Sequence, residues 1–167
     1  MQTPPKIVVM GVSGCGKSTI AELLARQMAL RYRDGDGLHP PANVEKMRRG
    51  DPLTDADRAP WLDLVGQALA DQCDVIACSA LKRSYRDRIR RHAPDAIFVH
   101  LAGDRAVLKA RVGNRPGHFM PASLLDSQLD TLEQLAHDEA GFIVDLDQTP
   151  EAIVEQAIAH LPPAERS

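Results

Sequence analysis

The chain has 167 residues, enough to bury a core without disulfides and few enough for one domain. With 44% hydrophobic and 26% charged residues it is composed like an ordinary globule. A net charge of −3 and 4% aromatic residues exclude the basic, base-stacking surface of a general nucleic-acid binder. Cys15, Cys73 and Cys78 are an odd number at spacings that fit no metal site, which predicts free thiols in a reducing compartment. No apolar run has the length of a membrane span, and MQTPPKIVVM lacks the features of a signal peptide, so the expected location is the cytoplasm.

Residues 6–10, KIVVM, are a β-branched run between Pro and Gly, as in a buried parallel strand. From Lys17 to about Arg31, Ile20, Leu23, Leu24, Met28 and Leu30 recur at helical spacing. A weak second strand is expected around Tyr32 to Asp34. HPPANVEKMRRG predicts a short helix with proline at its start and Gly50 past its end. Thr54 and Asp57 have the spacing of a capping box, with Asp replacing Glu or Gln, and open a helix carrying Trp61, Leu62, Val65, Ala68 and Leu69. Trp61 is expected in the core. DVIACSA is the next strand, LKRSYRDRIRRH a basic helix and AIFVHLAG a third strong strand. Asp104 caps a helix to about Val112, GNRPGHFM is a loop, and PASLLDSQLDTLEQL runs helical. GFIVDLD is the last strand, and Thr149-Pro150 opens the terminal helix. Strands alternating with helices predict an α/β fold, a parallel sheet wrapped on both faces.

GVSGCGKST has the pattern Gly-x4-Gly-Lys-Ser between a strand and a helix, a phosphate-binding loop. The cofactor-binding stretch is Gly11, Val12, Ser13, Gly14, Cys15, Gly16, Lys17, Ser18 and Thr19. Glycines let successive backbone N–H groups point inward around a phosphate, and the helix N-terminus adds partial positive charge. Lys17 is placed for the β- and γ-phosphates and the Ser18 hydroxyl for Mg²⁺. Cys15 reads as a small filler, although a thiol near a helix N-terminus and a lysine can have a lowered pKa. No NKxD-like guanine reader is present, and VIACSA does not end in Asp. Both absences argue against a GTPase switch or a motor.

The segment DGDGLHP follows. After the phosphate loop and its helix the chain returns to the carboxyl edge of the sheet, where ligands bind. Asp34 and Asp36, two apart on an extended segment, point the same way. One can hold a Mg²⁺-bound water, and the other can take the proton of an acceptor hydroxyl. A plain helix-capping loop is the alternative.

At these residues the sequence resembles the small P-loop gluconokinases, in the shikimate-kinase-like branch of the nucleoside-monophosphate kinases. The matching stretches are MGVSGCGKST, DGDGLHP…NVEKMRRGDPLTDADRAPWL, CSALKRSYRDRIR, RPGHFMPASLLDSQLDTLE and VDLDQTPE, in the family's order over most of the chain. The resemblance implies ATP-dependent phosphorylation of D-gluconate at its 6-hydroxyl, a five-stranded parallel sheet, a mobile lid over about residues 111–120, and often a homodimer. It implies neither a nucleic-acid nor a membrane partner.

Gluconate needs a cation for its carboxylate, and an arginine fork is the better clamp. Arg48, Arg58, Lys82 and Arg86 are the candidates. His39 and His118 either bind substrate hydroxyls or support their own loops. RVGNRPGHF reads as a basic lid. By the resemblance, Arg111 lies by the adenine and Arg115 faces the phosphates. Asp147 is a purine-side contact or a cap. The expected catalytic set is Lys17, Asp36 and Arg115, with Asp34 on Mg²⁺ through water. Another sugar acid or shikimate as acceptor, a nucleotide switch and a nucleic-acid 5′-kinase are the competing readings.

Overall fold

The computed structural model describes residues 4–12, 14–113 and 122–161. Strand β1 (Ile7–Met10) consists of four fully buried side chains, which is why it occupies the middle of the sheet. Five parallel strands run in the order β2 (Tyr32–Asp34), β3 (Val75–Ala77), β1, β4 (Ile97–Ala102), β5 (Gly141–Asp145). Val8 is in register with Ile76 on one side and Phe98 on the other. The order reverses at β1, so a crevice opens beyond its carboxyl end.

Helix α1 (Lys17–Met28) follows β1 and packs against α7 (Pro150–His160). It stops earlier than the periodicity predicts, because Ala29 turns left-handed at φ 55° and its amide caps Ala25 and Arg26. Leu30 therefore leaves the helix and leads into β2. That short edge strand is stitched to β3 by Asp74. The Asp74 carboxylate accepts from the Arg31 amide at 2.9 Å and Lys6 Nζ at 3.2 Å. Burial alone would raise its pKa, but bonds from Arg31 and Lys6 prevail and hold it at about 2.

After β2 the backbone does not stay extended, as the sequence reading supposed. Residues Gly35–Leu38 form a 3-10 turn, and the Asp34 carboxylate caps it by accepting the Asp36 amide at 2.9 Å. Helix α2 (Pro41–Arg48) follows, and Gly50 leaves it at φ 81°. Helix α3 (Asp55–Asp71) opens on the expected capping box, Thr54 Oγ1 accepting from the Asp57 amide and Asp57 from the Thr54 amide. It packs against α4 (Arg83–His92). Thr149 caps α7 through the Ala152 amide at 3.1 Å.

Helices α5 (Arg105–Gly113) and α6 (Ala122–Thr131) flank the segment read as a lid. Arg105 pairs with Asp126 and Asp130, strapping the two together. Helix α6 ends at Thr131, short of the predicted Leu135. Residues 132–139 instead lie along the start of α4, where the Glu133 amide donates to Leu81 O at 2.7 Å. The Arg83 guanidinium forks onto Asp138 at 2.7 Å. Among the described residues no helix is long and apolar enough to cross a membrane.

Candidate active site

The phosphate loop links β1 to α1. Gly16 sits immediately before α1 at φ 90°, which a side chain adopts only with strain. At Gly11 a Cβ would lie 2.9 Å from Leu101 O, so the loop can pass the end of β4 only with glycine there. Cys15 is buried beneath the loop, and burial raises its pKa against the pull of Lys17. It is a neutral packing thiol, as its reading as a filler expects. Lys17 Nζ folds back to Val12 O at 3.4 Å, and Ser18 Oγ donates to Asp34 Oδ2 at 3.4 Å.

On one side of the loop is a cavity of about 570 Å³, lined by Gly14, Gly16, Thr19, Val107, Arg111 and Asp147. Arg111 reaches it from the last turns of α5 and donates to Leu146 O. Asp147 follows β5, and its amide is tied to the Asp145 carboxylate at 2.9 Å. The volume and the loop glycines suit a nucleotide.

On the other side is a cavity of about 300 Å³, at the lower end for a small-molecule site. Lys17, Asp36, His39, Arg58, Trp61 and Ser79 are among its lining residues. Crowding by the cleft walls raises the Asp36 pKa; Lys17 pulls it down and Asp34 pushes it up. Asp36 thus stands beside the lysine of the phosphate loop with its basicity increased, the environment a proton acceptor needs. His39 stacks on Trp61 with ring centroids 4.0 Å apart, and its Nδ1 lies 3.2 Å from Asn43 Nδ2. Burial and then the Arg58 charge lower its pKa to about 4, so the imidazole is neutral. Trp61 Nε1 donates to Gly35 O at 2.8 Å, fixing the turn that carries Asp36.

Arg58, in the first turns of α3, brings a second cation to this cavity besides Lys17. Its Nη1 donates to Leu53 O at 2.8 Å and to Tyr85 Oη at 3.0 Å. Lys82 stands at the rim, 3.3 Å from the Asp55 carboxylate, and does not line the cavity. Arg48 faces outward and pairs with Glu45 at 3.8 Å.

Arg86 corrects the sequence reading. It is fully buried, with its guanidinium 2.7 Å from Glu139, and also donates to Ala80 O and Leu81 O. Its spacing from Lys82 is helical, but it points into the protein and cannot meet a substrate. Ser13, Arg115 and His118 lie outside the described residues. The structure therefore gathers Lys17, Asp36, His39 and Arg58 around one cavity, puts Ser18 and Asp34 beside them, and separates Arg48 and Arg86.

Sequence reasoning missed Ser79, Leu53, Gln128 and Thr131 on the cavity wall. Ser79 lies just past β3, where a strand-end rule would have found it. Gln128 and Thr131 come from α6, and nothing local marks which face of that helix turns to the cleft. Trp61 is both core, as read, and cavity wall.

A family model described as shikimate kinase matches residues 13–162. The gluconokinase of Gluconobacter oxydans is 49% identical, over 94% of this chain and 91% of that protein. The chain belongs to the gluconokinase family. Within that family, the thermoresistant gluconokinase of Escherichia coli is 42% identical over 90% of each chain. The crystal structure of a gluconokinase from Sinorhizobium meliloti matches with a TM-score of 0.88 at 48% identity, covering 95% of this chain and 92% of that one. Shikimate kinase from Aquifex aeolicus, at 15% identity and a TM-score of 0.59, shares the fold. The gluconokinase relatives thus cover 90% or more of the chain.

Proposed function

We infer that this protein is a gluconokinase, transferring the γ-phosphoryl group of ATP to the 6-hydroxyl of D-gluconate to give 6-phospho-D-gluconate and ADP. The observation that carries this is 49% identity to a gluconokinase over nearly the whole chain. A second cavity beside the phosphate loop, lined by Asp36 and the Arg58 fork, supports it.

ATP occupies the cavity that Gly14, Gly16 and Thr19 share with Arg111 and Asp147. The loop amides receive the phosphates at the start of α1. Mg²⁺ fits the oxygen donors Ser18 Oγ and Asp34 Oδ2, which are close enough for one metal and its water shell. Among the described residues no cluster of three His, Cys, Asp or Glu side chains offers a protein-only cage. Bound there, the metal neutralises phosphate charge. Gluconate occupies the smaller cavity, its carboxylate toward Arg58 and its 6-hydroxyl toward Asp36. Asp36 accepts the hydroxyl proton as the oxygen attacks phosphorus and the bond to the ADP oxygen breaks. His39, being neutral, can accept or donate to a substrate hydroxyl. Lys17 holds the transferring group, and Arg115 is the second cation expected to neutralise it.

The test is ADP release from Mg·ATP with no acceptor, D-gluconate, shikimate or neutral sugars. Release with D-gluconate alone, with a phosphorylated product, is the expected result. Release with shikimate alone would move the chain to the activity named by its matching family model. Release independent of acceptor would refute kinase function.

A further inference from the structure

Arg58 has few constraints of its own. Its Nη1 is spent on Leu53 O and on the Tyr85 hydroxyl. Among the described residues Nε and Nη2 take no hydrogen-bond partner, although Arg58 lines the acceptor cavity. Those two nitrogens form the side-on edge of the guanidinium, which binds a carboxylate through two parallel bonds. What holds that edge in place is Tyr85 on α4, which is 5% exposed. Its hydroxyl donates its one proton to the Asp55 carboxylate, so its lone pairs are left to accept Arg58. The Arg58 guanidinium also lies 5.3 Å from the Tyr85 ring centroid, a cation–π contact.

The charge balance fits the same purpose. Asp55 beside Arg58 would by itself cancel the receptor's charge. Lys82 Nζ, 3.3 Å from Asp55 and 5.6 Å from the Tyr85 ring centroid, offsets that carboxylate and leaves the cluster one positive charge in excess. Lys82 therefore acts on the substrate through Asp55 and not by contact.

We propose that Tyr85, anchored by Asp55, is the positioning residue that fixes the Arg58 fork as a carboxylate receptor and so selects acid acceptors. The proposal rests on the gluconate reading and names the part of the site that recognises the acid. Tyr85→Phe keeps the ring and its packing and removes only the hydroxyl. The expected result is a rise of about tenfold in KM for gluconate, the worth of one hydrogen bond to a charged group. The value of kcat should stay within about twofold and KM for ATP should not change, because ground and transition states use the carboxylate equally. A general structural role would instead move kcat, both KM values and the melting temperature together. Lys82→Met, at the exposed rim, gives an independent reading: with Asp55 no longer offset, KM for gluconate rises severalfold while kcat holds.

If the wild-type protein uses gluconate and both variants keep its KM, the inference fails and the gluconate reading stands. If it uses another carboxylate acceptor and the KM split appears there, the inference stands and gluconate is discarded. If no acid acceptor supports turnover, both are overturned.

Discussion

Glu139→Gln tests what the Arg86 correction implies about stability. Both side chains of the pair are 0% exposed, with contacts of 2.7 and 3.0 Å. Glu139 also receives Arg90 at 2.7 Å and the Ala136 amide at 2.8 Å. Glutamine keeps the shape but removes the charge, and its amide N–H group faces guanidinium donors. Arg86 then stays buried without a counterion. Breaking a buried pair from one side costs about 3–5 kcal/mol, a large part of the roughly 5–15 kcal/mol that holds a domain of this kind. Equilibrium urea unfolding reads the loss: with a slope near 2 kcal/mol/M, the midpoint should fall by roughly 1.5–2.5 M. The pH dependence gives a second check. Burial would raise the Glu139 pKa, but bonds from Arg86, Ala136 and Arg90 prevail and hold it at about 2, against an ordinary 4.5. Its contribution is present above pH 4.5 and is lost as pH falls toward 2. The variant should lack that part of the acid slope. The paired change Arg86→Met with Glu139→Leu should cost less than either single change. A loss below about 1 kcal/mol for Glu139→Gln would refute the reasoning, since the carboxylate would then not be anchoring residues 132–139.

Two further outcomes are expected. Asp36→Asn should lower kcat by about 10²–10⁴, the range of general-base catalysis, while ATP binding followed by a fluorescent analogue stays near normal; full turnover would remove Asp36 from the mechanism. His100 on β4 is 1% exposed with its Nδ1 unpartnered among the described residues, and burial, then Arg86, lowers its pKa from 6.5 to about 4. Below pH 6.5 the unfolded chain takes up a proton that the folded one refuses until about pH 4, so stability falls as pH falls through that window. At pH 5 the loss is about 2 kcal/mol, and thermal unfolding of His100→Leu should show a shallower decline than the wild type, with His39 supplying the remainder.

The parts of the fold readable in the sequence are those governed by local rules. The phosphate loop, the Thr54–Asp57 capping box, the Thr149 cap and the buried run of β1 each declare themselves within a few residues. Even the weak strand at Tyr32–Asp34 is found where the reading put it. Two of the errors come from a contact distant in sequence. Helical spacing put Arg86 on one face with Lys82, but Glu139, 53 residues later, decides that the face is buried. The same carboxylate draws residues 132–139 off the helical path that their periodicity suggests. Asp36 lines the cleft and Asp34 stands beside Ser18, but on a 3-10 turn and not an extended strand, because the Asp34 carboxylate caps that turn, a local contact that periodicity does not show. Tyr85 could not be seen at all, since its meaning depends on Arg58 and Asp55 arriving from another helix.

Gly35 lies between the two aspartates, where β2 gives way to the turn. A Cβ there would collide with the Ala77 carbonyl oxygen, and its own carbonyl holds Trp61. A side chain at position 35 would therefore part β2 from β3 and shift Asp34 relative to Asp36. The walls around them carry no such restriction: Leu53 precedes α3, Arg58 lies in its first turns, and His39 stands at the turn's far end. Substitution can reshape the cavity wall residue by residue, while the turn that carries Asp36 stays locked to the sheet. Such a frame is open to new acceptors and closed to new chemistry.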